Sequence, residues 1–142
     1  MEYRFLTIND YNDLIELWKV TGLEYKPQGR DSYESIRNEI ARNPEVFLGC
    51  FEDKKLAASI LITDDGRKGW LNRIAVHPDF QRRGLAQELT KRTEDILRAR
   101  GIKIFAILIL ENNKKSLVLA EKMGYKVFEG IKYLTKRDFP DI

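Results

Sequence analysis

The amino-acid sequence predicts an α/β fold of the α+β kind, with a mixed, mostly antiparallel central sheet of six to seven strands and about four helices. Three observations predict it. Helix-spaced apolar residues alternate along the chain with short β-branched and aromatic runs, three of those runs follow one another at hairpin spacing, and a glycine turn joins an apolar run to an amphipathic helix. At 142 residues the chain suits a single domain, residues 1–142, with a core large enough to need neither metal nor disulfide.

Tyr3 to Leu6 reads as the first strand. A helix follows in which Tyr11, Leu14, Trp18 and Thr21 share one face, with Asn9 or Asp10 as its cap. After the loop Gly22 to Arg30, which carries Tyr25, Pro27 and Gly29, Asp31 and Glu34 have the spacing of a capping box for a second helix. That helix bears Tyr33, Ile36 and Ile40 and stops at Asn43-Pro44, because proline disfavours helical geometry in the residue before it. Phe47 to Glu52, Leu56 to Thr63 and Trp70 to Val76 form a meander with turns at Asp53-Lys54-Lys55 and Asp64-Asp65-Gly66. Leu85 to about Arg100 is an amphipathic helix with Leu85, Leu89, Thr93 and Ile96 inward, ended by Gly101. The most apolar run, Lys103 to Leu110, predicts a strand at the sheet centre, parallel to Trp70 to Val76 because a helix connects them. A helix from about Lys114 to Met123, capped by Gly124, precedes a closing strand pair, Lys126 to Phe128 and Ile131 to Thr135.

Composition excludes several function classes. Cys50 is the only cysteine and His77 the only histidine, which rules out an intrachain disulfide and a Cys/His zinc site; no metal is expected. Cys50 lies in an apolar run with no activating charge beside it, and His77 precedes Pro78, so both read as structural. Lysine and arginine exceed the carboxylates by 25 to 22, too mild an excess to imply nucleic acid, although Arg82, Arg83, Lys91, Arg92 and Arg98 are the residues such binding would use. The longest apolar stretch cannot span a bilayer, and Met1-Glu2-Tyr3-Arg4 lacks a secretory pattern. A cytoplasmic protein without a membrane partner, monomeric or homodimeric, is the expectation.

The chemistry concentrates in Gln81-Arg82-Arg83-Gly84-Leu85-Ala86. A helix start offers backbone N–H groups without intrahelical partners and the positive end of the peptide dipole, so phosphate is stabilised there. Gly84 allows close approach, Ala86 keeps the first turn low, and Arg82 and Arg83 add charge-assisted donors. The spacing fits neither a P-loop nor a three-glycine dinucleotide fingerprint.

Leu71-Asn72-Arg73-Ile74-Ala75-Val76-His77-Pro78 followed by this loop resembles the fourth strand and pyrophosphate loop of the GNAT N-acetyltransferase superfamily. Asn113-x-x-Ser116 and Glu121-Lys122-Met123-Gly124-Tyr125 resemble its later helix and the turn after it, and the element order matches over essentially the whole chain. In the cofactor motif the likeness is to the ribosomal-protein N-terminal acetyltransferases. The resemblance implies a GNAT-like acyl-CoA N-acyltransferase fold and acetyl-CoA as co-substrate. The backbone of Ile74, Ala75 and Val76 would pair with the pantetheine arm, and the amides of Gln81 to Ala86 would hold the pyrophosphate. One fourth-strand N–H would polarise the thioester carbonyl, and Asn113 and Ser116 would flank the thiol end. The acceptor would be a primary amine on a protein or a small molecule.

Two positions depart from the family pattern. Ala120 stands four before Gly124, where many members carry a tyrosine that protonates the leaving thiolate, and Leu108 stands where the ribosomal-protein enzymes place a glutamate. Tyr25, Tyr33 and Tyr133 are candidate substitutes for the acid, and Glu111 and Asp31 for the base, acting directly or through water. A CoA-binding regulatory module that has lost turnover is the alternative these two departures raise.

Overall fold

Sequential antiparallel pairing builds most of the sheet in the computed structural model, which describes residues 1–142. β1 (Glu2–Phe5) pairs with β2 (Phe47–Glu52), β2 with β3 (Lys55–Asp64), and β3 with β4 (Lys68–Val76). β5 (Ile104–Ala106) adds parallel to β4, giving the order β1-β2-β3-β4-β5. Asp53 and Lys54 turn the β2–β3 hairpin with φ of 48° and 67°, the paired positive values of a two-residue turn that follows strand twist.

Helices cover both faces. α1 (Tyr11–Val20) and α2 (Tyr33–Arg42) lie on one side, where Leu14, Leu17, Trp18 and Ile36 are buried with Phe47, Leu56 and Ala75. α3 (Leu85–Ala99) lies on the other, packing Leu85, Leu89 and Leu97 against Leu48, Cys50, Ile60, Ile62 and Leu71. Gly69 of β4 permits that approach, since a Cβ there would sit 2.9 Å from Leu97 Cδ2. α3 carries the β4–β5 crossover and α4 (Lys114–Lys122) follows β5. No helix is long and apolar enough to cross a membrane.

Asp10 stands at the start of α1 as expected but makes no side-chain bond to that helix, and α2 starts one residue later than the expected cap. Before α1 the Asp10 carboxylate bonds back to the Thr7 N–H at 2.8 Å and to Arg4 Nη1 at 2.9 Å; this pairing with Arg4 holds it below the usual carboxylate range. At α2 the cap is Ser32, whose Oγ accepts the Ser35 N–H at 3.1 Å, because Asp31 is engaged in a long-range ion pair.

The C-terminal third departs furthest from the predicted architecture. The sheet has five strands, not six to seven, and β5 forms its edge instead of its centre, pairing with β4 over three residues only. Beyond Ala106 the apolar run leaves the sheet, and Leu108 and Leu110 are exposed. The 126–128 and 131–135 segments form no strands, and Phe128 and Leu134 are more than 80% exposed, at 81% and 84%. The adjacent apolar pairs Val127-Phe128 and Tyr133-Leu134 would point to opposite faces of a strand, so a single covered face cannot bury both.

Candidate active site

β4 carries the site because its two halves have different neighbours. At Gly69 and Trp70 it is paired on both edges, with β3 and with β5. From Asn72 onward only β3 remains, and the Leu108 N–H reaches the Asn72 side-chain oxygen at 3.5 Å across the widening gap. The His77 N–H turns inward to the Ala57 carbonyl at 2.8 Å. Because backbone polar groups alternate along a strand, Val76 and Ile74 then turn theirs to the open side. Gln81 Nε2 donates to the Val76 carbonyl at 3.3 Å from that side, tying the loop to the strand.

A bulge sets which side chains accompany those amides. Ser59 and Leu61 of β3 face Ala75 and Asn72, so β4 has one residue in excess, and Arg73 takes a φ of 51°. Strict alternation from Leu71 would send Arg73 to the α3 face. The extra residue sends it instead to the α1/α2 face, where its guanidinium lies 4.6 Å over the Trp18 ring, while Ile74 rejoins the α3 core. Left-handed geometry costs a non-glycine residue about 1–2 kcal/mol.

The phosphate end follows directly. A single turn, Pro78–Phe80, leads from β4 into Gln81 to Gly84, all exposed. Gly84 caps α3 in the left-handed region, φ 75°, and no side chain caps the helix. Its first backbone bond runs from the Glu88 N–H to the Gly84 carbonyl at 3.0 Å, leaving the Leu85, Ala86 and Gln87 amides available to an anion. No atom outside the neighbouring residues lies within 4 Å of where a Gly84 Cβ would stand, so the main chain there is open to close approach. The two arginines differ: Arg83 pairs with Glu52 at 3.4 Å and lies 5.1 Å over Phe80, whereas Arg82, φ 66°, has no ion pair.

The α1/α2 side of β4 is made of side chains. Asp31 is buried, and its oxygens take Arg73 Nη1 at 2.6 Å, Arg73 Nη2 at 3.0 Å and the Lys26 N–H at 2.6 Å. A carboxylate so engaged is poorly placed to take a proton from an acceptor. Tyr25 is half-buried beside Trp18, ring centroids 6.5 Å apart. Glu39 of α2, which sequence reasoning passed over, is half-buried without an ion pair; burial pushes its carboxyl above the ordinary range, opposed by Arg42 and Arg73. On an amphipathic helix it reads as one more surface glutamate, and only folding brings Asp31 and Arg73 near it.

Other predicted residues lie apart from this centre. Tyr33 and Tyr133 are exposed at 52% and 71%, and Glu111 is exposed in the turn after β5. Asn113 Oδ1 caps α4 by accepting the Ser116 N–H at 3.3 Å, so the two adjoin. Ala120 is buried at the end of α4, where its carbonyl accepts the Tyr125 N–H at 3.0 Å. Tyr125 donates its hydroxyl to Glu94 at 2.6 Å; burial and that carboxylate push its pKa upward, so it stays protonated. Beside it a cleft of about 310 Å³ between α3 and α4 is lined by Gln87, Lys91, Glu94 and Lys122. Cys50 is buried with its thiol pKa pushed up by burial, and His77 Nδ1 accepts the Asp79 N–H at 3.1 Å; both are engaged structurally.

Known proteins are similar to this chain in sequence and in fold. A family-wide sequence profile for the acetyltransferase (GNAT) family matches residues 11–125. An acetyltransferase of Yersinia enterocolitica is 31% identical over 131 residues, covering 92% of each chain, and one of Photorhabdus laumondii is 30% identical over 126 residues, covering 89% of this chain and 87% of its own. Among solved structures, the PaiA N-acetyltransferase of Thermoplasma acidophilum in complex with coenzyme A superposes with a TM-score of 0.81 at 25% identity, covering 92% of both chains. The ribosomal-protein-alanine N-acetyltransferase of Brucella melitensis shares the fold, with a TM-score of 0.72 at 16% identity over 96% of this chain and 100% of its own. The family profile spans most of the chain and the relatives span nearly all of it, so the chain belongs to the GNAT family as an acetyl-CoA-dependent acetyltransferase.

Proposed function

We propose that the chain, acting as one catalytic domain over residues 1–142, transfers the acetyl group of acetyl-CoA to a primary amine by direct attack. The observation that carries this is the run of open-side amides on β4 that leads from Ile74 through Val76 into the uncapped start of α3. Acetyl-CoA supplies an activated carbonyl and a thiolate leaving group. Ile74, Ala75 and Val76 bind the pantetheine arm as an added strand. Gln81, Arg82, Arg83, Gly84, Leu85 and Ala86 hold the pyrophosphate, and Asn113 and Ser116 flank the thiol end. The Ile74 N–H faces the carbonyl oxygen as charge develops there, a role worth about 3–4 kcal/mol when such a donor is removed.

On the acceptor side, Tyr25 and Trp18 wall the amine, and Glu39 and Glu111 are the carboxylates free to receive its proton, directly or through water. Asp31 is not, since Arg73 and the Lys26 amide occupy it. A thiol with a reference pKa near 8.5 leaves as thiolate without a dedicated acid, so Ala120 does not forbid turnover, and Tyr133 is dispensable. The test is thiol release from acetyl-CoA against a panel of N-terminal peptides, lysine peptides, polyamines and aminoglycosides. Acceptor-dependent release supports the reading. Tight acetyl-CoA binding with no release against any amine would instead favour a CoA-binding regulatory module, the reading to which Ala120, buried as part of a helix end, lends weight.

A further inference from the structure

One ion pair on the α1/α2 side of β4 bears on the reacting centre. Arg73 sits at the bulge with φ 51°; the other non-glycine residues at positive φ are Asp53 and Lys54 in the hairpin turn and Arg82 in the phosphate loop. The peptide after Arg73 carries the Ile74 N–H, so the Arg73 dihedrals aim that donor. Arginine has no intrinsic preference for this region, and what holds it there is the side chain's surroundings. Its guanidinium meets Asp31 through two parallel bonds, 2.6 and 3.0 Å, and stacks on Trp18 at 4.6 Å. A two-bond fork fixes orientation as well as distance. With side-chain exposures of 14% and 4%, solvent screens the pair little. Asp31 is in turn built into the loop between α1 and α2: it accepts the Lys26 N–H at 2.6 Å, and its carbonyl accepts the Tyr11 hydroxyl at 2.8 Å.

We infer that Asp31 and Arg73 are positioning residues for acetyl transfer: their ion pair latches the Gly22–Arg30 loop to the β4 bulge and thereby aims the Ile74 N–H. The inference rests on the reading of β4 as the thioester-binding strand. Loop order and donor direction are then one mechanical unit, so an acceptor that orders the loop also completes the reacting geometry.

The test compares Arg73→Lys, Asp31→Asn and the paired Asp31→Leu/Arg73→Met variant with the unmodified chain. Replacing both partners of a buried pair with apolar residues often restores stability, which keeps the experiment readable if a single variant unfolds. Hydrogen exchange is measured over residues 22–31 and 72–77, acetyl-CoA affinity by calorimetry, and turnover with the best amine of the panel. The expected result is exchange at least tenfold faster in both segments together, kcat lowered about 30-fold or more in the paired variant, and acetyl-CoA Kd within about threefold. Faster exchange in only one segment, or a paired variant with kcat within threefold of the unmodified chain, would overturn the latch. If the unmodified chain releases no thiol with any amine, the proposed acetyl transfer fails, while joint or separate exchange still decides the mechanical coupling.

Discussion

The two sides of β4 are built from different materials. Along the open edge of β4 and at the start of α3 the site consists of main chain: the Ile74 and Val76 polar groups that alternation turns outward, the left-handed Gly84, and free N–H groups at the start of the helix. Towards α1 and α2 it consists of side chains gathered from distant parts of the sequence, with Asp31, Arg73, Trp18 and Tyr25 in contact and Glu39 close by. A ligand common to a whole family can be held by backbone, which any sequence with the right turn supplies. An acceptor that varies between members has to be met by side chains that vary too.

Breaking each side should therefore give a different signature. The largest effect belongs to the side-chain half: Asp31→Ala leaves the Arg73 guanidinium buried without its partner and should cost about 3–5 kcal/mol in urea unfolding. Folded protein should still bind acetyl-CoA with Kd within about threefold, and a collapse of that affinity would show that the two sides are not separable. On the backbone half, Gly84→Asp adds bulk and negative charge where phosphate approaches, and should weaken acetyl-CoA by about 100-fold, about 2.7 kcal/mol, in calorimetry. Unchanged affinity would remove the loop from the site.

Smaller effects sharpen the contrast. Arg82→Ala should weaken acetyl-CoA about tenfold, about 1.4 kcal/mol, and Arg83→Ala less than about threefold, because Arg83 is already committed to Glu52 and Phe80; equal losses would mean the ligand recruits both. Glu39→Gln probes the unpaired carboxylate. Burial raises its folded pKa above the unfolded value, so the folded state binds the extra proton and stability falls as pH rises through that window. The variant should thus be slightly more stable at pH 7, by no more than about 0.5 kcal/mol, with no gain below the ordinary carboxylate range. A simultaneous fall in kcat would identify Glu39 as the group that takes the proton; unaltered kcat would leave Glu111.

The same division explains what could be read from the chain unaided. The glycine turn ahead of α3 and the β2–β4 meander were legible because turn residues and alternation are local signals, and the bounds of α3 followed from Gly84 and Gly101. Asp31 was misread as a helix cap because its partner lies 42 residues away and only folding brings them together. Ile104 to Leu110 suggested a buried central strand, since a continuous apolar run does not say how many strands flank it. The bulge at Arg73 was invisible for a related reason: an arginine with positive φ has no composition signature, unlike a glycine.

Gly69 gives α3 the character of a lever. Its missing side chain admits Leu97 near one end of the helix, while the free N–H groups proposed to receive phosphate lie at the other, twelve residues and about 18 Å away. A methyl group placed beneath Leu97 would raise that end and tilt the distant one. Cofactor affinity would then respond to a change that touches nothing the cofactor touches, and the thickness of a single strand residue would set the height at which phosphate is received.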